Sequence, residues 1–190
     1  MGLIDMVSRR ALHRRYEAAA EGGDADAMLF LGTVRAKKDP AAAREWFRRA
    51  AEGGNVHAMY IVGLYLEPHA PQDSRAWLDK AADGGHVDAM IKLGVLEQAR
   101  NPAVARFRYE QAAARGSTIA MFNLGLLLER SDRDAAIGWY EKAADGGDAD
   151  AMVNLARLTE ADDPDGARAL LEKAAAAGQR EAQERLAPAK

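Results

Sequence analysis

Apolar residues recur along the chain at helical spacing in two alternating registers. In the first, Ala27, Met28, Leu31 and Val34 are read as one core-facing side, and the same pattern returns at Ala58, Met59, Val62 and Tyr65 and at Ala120, Met121, Leu124 and Leu127. In the second, Trp46, Phe47, Ala50 and Ala51 are followed by Trp77, Leu78, Ala81 and Ala82, then by Trp139, Tyr140, Ala143 and Ala144. The first register is termed helix A and the second helix B. Helix A carries one short run six times: AMLFLG ending at Gly32, AMYIVG at Gly63, AMIKLG at Gly94, AMFNLG at Gly125, AMVNLA at Ala156 and AQERLA at Ala187. Each end point lies 31 residues beyond the last, with no insertion. A fixed period of this length predicts one compact helix pair that cannot bury its apolar face alone and stacks on its neighbours.

The boundaries carry their own chemistry. Asp24, Asn55, Ser117 and Asp148 stand where helix A needs a side chain to accept its first free N–H groups, and His86 and Gln179 fill that slot less well. Helix B opens with Asp39-Pro40, Asn101-Pro102 and Asp163-Pro164, a cap followed by a residue whose fixed φ suits the first helical position; Ala70-Pro71 keeps the proline and loses the cap. Glycine pairs such as Gly84-Gly85 end helix B in the shortest of turns. Gly32, Gly63, Gly94 and Gly125 lie inside helix A, where each costs up to about 1 kcal/mol against Ala, which predicts close backbone approach to the paired helix. The expected organisation is a single domain over 1–190. It begins with a lone B-type helix at 8–21, capped by Ser8 with Val7 and Leu12 as a hydrophobic staple. Five A–B pairs follow over 24–177, and a lone A-type helix over 179–187, its outer face turned polar, closes a set of about twelve helices.

Composition narrows the field. With 190 residues, 48% hydrophobic and 29% charged, the chain can bury a core unaided, and the absence of Cys excludes disulfides and thiolate metal sites. A net charge of −3 gives no basic excess for nucleic-acid phosphates. No stretch approaches the roughly 18–20 apolar residues of a membrane span. The opening MGLIDMVSRR puts its arginines after the apolar stretch, the reverse of a secretory signal, so a cytoplasmic chain is expected.

Segments KAADGGHVDAMIKLG (80–94) and KAADGGDADAMVNLA (142–156), with WYEKAA (139–144), resemble Sel1-like repeats, relatives of the tetratricopeptide repeats. The resemblance implies an all-α, right-handed superhelical solenoid of antiparallel helix pairs, used in protein assembly and adaptor roles. The units here are shorter than is typical and lack the Gly-rich loop between helices A and B.

No catalytic constellation emerges. His13, His57, His69 and His86 are scattered over separate repeats. His57 and His86, near the starts of successive A helices, with Asp88, are read as capping or first-turn residues in preference to metal ligands. No metal, no cofactor and no enzymatic activity are expected. Arg9, Arg10, Arg14 and Arg15 read as a solvated helix face, the glycine pairs as turns and not phosphate loops, and the Trp and Tyr of helix B as core.

The departure from a simple amphipathic pattern lies on helix A. The slot of Leu29 is expected to point away from the core, yet it holds Leu29, Tyr60, Ile91, Phe122 and Val153; one turn on come Thr33, Leu64, Val95, Leu126 and Arg157. Beside them Phe30, Ile61, Lys92, Asn123, Asn154 and Arg185 turn polar toward the C-terminus. By the family resemblance helix A lines the concave side, so these residues form a groove for a protein or peptide segment. Leu29, Tyr60, Leu64, Ile91, Val95, Phe122 and Leu126 supply apolar contact in that reading, and Lys92, Asn123, Asn154 and Arg157 orient the segment. Two arrangements stay open, an exposed stripe and one packed against neighbouring A helices. A non-catalytic scaffold with a protein or peptide partner, without nucleic acid or membrane span, is the leading expectation. A self-associating homo-oligomer using the same surface is the alternative.

Overall fold

The computed structural model describes residues 3–187, with side chains from Ala11 onward. Among the described residues it is helical throughout, with no strand, and its helices form two compact units, Met1–Ala89 and Met90–Lys190. The first holds α1 (Leu3–Glu21), α2 (Ala25–Arg35), α3 (Pro40–Glu52), α4 (Val56–Leu66), α5 (Pro71–Asp83) and the start of α6 (Val87–Glu97). The second holds the rest of α6, α7 (Pro102–Ala113), α8 (Thr118–Leu128), α9 (Arg133–Asp145), α10 (Ala149–Thr159), α11 (Pro164–Ala176) and α12 (Arg180–Leu186). Even-numbered helices are the A register and odd-numbered ones the B register, in the expected order.

The cap chemistry holds at each A helix. Asp24 accepts from the backbone N–H of Ala27 (3.0 Å), Asn55 from Ala58 (2.7 Å), Ser117 from Ala120 (3.2 Å) and Asp148 from Ala151 (2.9 Å). Gln179 also caps, accepting from Ala182 at 2.8 Å, and His86 Nδ1 accepts from Ala89 at 3.3 Å. At the B helices Asp39, Asn101 and Asp163 cap as read from the sequence, Ala70 makes no such bond, and Asp132 adds a cap that no proline advertised.

In the first unit Ala20, Ala27, Met28, Leu31, Ala50, Ala51, Ala58 and Val62 form the core, with Tyr16, Trp46, Phe47 and Trp77 packed around it. In the second, one cluster is built on Leu128, Ala136, Tyr140, Ala143, Ala151 and Leu155, another on Val153, Ala156, Ala167, Leu171 and Ala182. The alanines let helices close in while the large B-helix residue fills the space opposite the A-helix glycine. A Cβ at Gly63 would sit 2.8 Å from Leu78, one at Gly32 2.6 Å from Phe47, and those at Gly94 and Gly125 would meet the rings of Tyr109 and Tyr140. The B-helix tryptophans are half-buried, with a cation over the indole: Arg49 at 4.4 Å on Trp46, Lys80 at 4.4 Å on Trp77 and Lys142 at 4.1 Å on Trp139. The glycine pairs divide their work. Gly85 takes a φ of +91°, whereas a Cβ at Gly84 would come within 2.6 Å of Val56.

Three expectations are corrected. α1 begins at Leu3, so Ser8 lies inside the helix and not at its cap; the Val7 side chain of the expected staple and the side chains of Arg9 and Arg10 lie outside the described residues. Val34 is 49% exposed rather than core. The Leu29 slot is a flank of the helix and not its outer face. The last two share one cause. Gly32 belongs to the buried face of α2, which therefore spans Ala27 to Gly32 and is centred between Leu31 and Arg35, closer to Arg35 than the apolar pattern implies. At about 100° per residue Val34 then falls about 90° from that centre, Leu29 about 130°, and Thr33 nearly opposite.

Candidate functional site

The outward slot of helix A is therefore the one occupied by Thr33, Leu64, Val95, Leu126 and Arg157. In the first unit Leu64 is exposed on α4. In the second Val95 is 45% and Leu126 47% exposed, and Arg157 stands in the equivalent position on α10. Helix A presents branched apolar side chains to solvent here because its core requirement is already met on the Ala–Met–Leu–Gly face.

The flanking slots are half closed. Leu29 packs against the first core, and Tyr60 stacks on the His86 ring at 4.4 Å and 23°. Ile91 and Lys92 are half-buried, Phe122 lies 5.9 Å from the Tyr140 ring and tilted by 50°, and Val153 is 3% exposed. The flank is thus half-buried to buried, and the outward slot is open. Asn123 is half-buried on α8.

In the second unit Arg157 and Asn154 are tied to one another. Arg157 donates to Glu129 at 2.7 Å and to the Asn154 amide oxygen at 3.2 Å, and Asn154 Nδ2 donates to the carbonyl of Asp150 at 3.2 Å. Glu129 also accepts from the buried Tyr140 hydroxyl at 3.0 Å. Burial alone would raise the Glu129 carboxyl, but the bonds from Arg157 and Tyr140 outweigh it and hold it below the usual carboxylate range. Burial, reinforced by Glu129, pushes the Tyr140 phenol up, and burial pushes Tyr109 up to about 12. Sequence reasoning missed Glu129. The signal was its place in the same slot as Gln98, which accepts from the Tyr109 hydroxyl at 3.1 Å.

A second set of contacts runs along the N-terminal ends of the A helices. Asn55 donates to Asp26 at 2.6 Å, Gln179 donates to Asp150 at 3.1 Å, and His57 Nδ1 meets His86 Nε2 at 2.9 Å, each joining a first-turn residue of one A helix to the cap of the next. The structure thus brings His57 and His86 together, as their positions at successive helix starts allowed, and His86 is a cap as well. Between α3, α4 and α5 an open cleft of 590 Å³ is lined by Val62, Tyr65, Leu66 and Trp77, with Arg44 stacked over Tyr65 at 5.5 Å. Arg48 at its rim is bound on both sides, to Glu45 at 2.7 Å and Glu52 at 2.6 Å. No helix among the described residues is long and apolar enough to cross a membrane.

Similar architectures are found in solved structures. A Sel1 repeat protein from Oxalobacter formigenes aligns at 25% identity and a TM-score of 0.77, over 86% of this chain and 75% of its own. A protective antigen of uropathogenic Escherichia coli that displays an SLR fold aligns at 24% identity and 0.76 over 92% of this chain, which spans only 44% of that antigen. The pilF protein of Pseudomonas aeruginosa aligns at 22% and 0.67, over 93% of this chain and 90% of its own. No curated protein matches. The Sel1 repeat model matches five times without a gap, over 25–55, 56–86, 87–117, 118–148 and 149–179, each match opening on the first residue of an A helix and closing on the cap of the next. With the helix pairs, caps and glycine contacts all in that register, the chain belongs to the Sel1 repeat family.

Proposed function

We propose that the chain is a non-catalytic scaffold whose A-helix surface receives a segment of another protein. Sel1 repeats mediate protein–protein interactions, and proteins built from them are typically non-catalytic scaffolds, which supports the class. The observation that carries the choice of surface is the exposure of Val95 and Leu126 on the side of helix A turned away from its core. Exposed branched residues in register give apolar contact on α6 and α8, and the Arg157–Asn154 pair offers donors to the backbone or carboxylates of a bound segment. Lys92 and Asn123 flank that surface, and Leu64 with Tyr60 and Leu29 forms the corresponding surface of the first unit. In this reading the repeats act as one domain in the cytoplasm.

Changing Val95 and Leu126 together to Glu tests the assignment. Both side chains already face water, so the reading expects an unchanged melting temperature and loss of partner capture from extract of the native cell. Unchanged capture by a folded variant refutes it. Self-association through the same residues is distinguished by solution mass, which the Glu variant would then lower.

A further inference from the structure

The rungs along the A-helix N-termini differ in chemistry. Asn55–Asp26 and Gln179–Asp150 pair an amide donor with a carboxylate, and neither needs a titrating imidazole. His57–His86 pairs two imidazoles, and its hydrogen bonds admit one arrangement of protons. The Ala89 N–H donates to His86 Nδ1, so that nitrogen is bare and His86 carries its proton on Nε2. Nε2–H then donates across 2.9 Å to His57 Nδ1, which leaves the His57 proton on its own Nε2.

An added proton breaks this arrangement wherever it lands. On His86 Nδ1 it sets N–H against the Ala89 N–H and removes the cap of α6. On His57 Nδ1 it sets two N–H groups face to face, relieved only if His86 moves its proton to Nδ1, and the cap is lost again. A cation at this position also opposes the positive end of the α6 dipole. The charged groups acting on His86 are His57 from α4 and, in the opposite sense, Asp88 from the first turn of α6, while Tyr60 of α4 covers the ring as a neutral stack.

We propose that His57 and His86 form an acid-labile latch that fastens the start of α6 to α4, closed at neutral pH and released when the pair takes up a proton. Release frees the ring on which Tyr60 rests, so the latch gives the A-helix face of the first unit a pH dependence. Burial first and the His57 charge second hold His86 below the ordinary imidazole range, with Asp88 opposing. The unfolded chain therefore binds this proton first, and stability is present above about pH 6.5 and lost as pH falls from there through the folded value.

The latch is measured on the protein alone, so the result is independent of whether that face binds a partner. Long-range nitrogen–proton NMR at pH 7.5 should show both rings as Nε2–H tautomers. Melting curves of the wild type should fall by about 2–4 °C between pH 7.5 and 5.5 beyond any change in His86→Asn, whose amide keeps the cap as Asn55 does. Protection of the Ala89 amide should drop by about tenfold in the wild type over the same interval. The other histidines are common to both proteins and cancel in the difference. An Nδ1–H tautomer at His86, or equal pH dependence in the two proteins, overturns the proposal.

Discussion

Gly94 of α6 passes the ring of Tyr109 of α7 so closely that a Cβ there would collide with three ring atoms. Tyr109 is fully buried and its hydroxyl is held by Gln98, so the ring cannot swing aside. Gly94→Leu should lower stability by about 1–3 kcal/mol or more through overpacking, read as an earlier thermal transition. A melting curve matching the wild type would show that the two helices do not depend on this contact.

Gly138 is the opposite case. It lies inside α9, partly exposed, with nothing within 4 Å of a built Cβ. Gly138→Ala should raise stability by about 0.5–1 kcal/mol, measured by urea unfolding, because the substitution removes backbone freedom from the unfolded chain without meeting anything in the fold.

The repeat was legible in the sequence because every unit keeps the same alanines and a turn glycine at one spacing, and most keep a capping side chain, each with a local physical role. The position of the outward face was misread. It depends on whether Gly32 belongs to the buried side, as its close approach to the paired helix implied, and the apolar pattern left it out because glycine contributes no hydrophobicity. That displaced Val34 from the core and turned Leu29 and Tyr60 into flank residues. The Ser8 cap failed for a similar reason, since a good capping side chain does not end a helix whose preceding residues also accept helical geometry. Contacts between repeats, such as Arg157 with Glu129, required the stacking itself.

That last contact carries a prediction of its own. Glu129→Ala should cost about 1–2 kcal/mol, since it strips the buried Tyr140 hydroxyl of its acceptor and leaves Arg157 without its carboxylate, and Glu129→Gln should retain much of the Tyr140 bond. The folded carboxyl lies below its ordinary value of 4.5, so its contribution is full above that pH and is lost as pH falls through the lower folded value. Urea midpoints at pH 6 and pH 3.5 should therefore differ less in Glu129→Gln than in the wild type. Equal differences in the two proteins would remove Glu129 from the acid response.

Placement of the binding surface is tested most directly by a photoreactive amino acid at Leu126, on the outward slot of α8, compared with one at Arg168, exposed on the B helix α11. Both positions are accessible in the folded protein, so both variants should melt as the wild type does. Irradiation in extract of the native cell should give a discrete protein adduct from position 126 and none from position 168. An adduct from position 168 with none from position 126 would contradict the assignment of binding to the A-helix face.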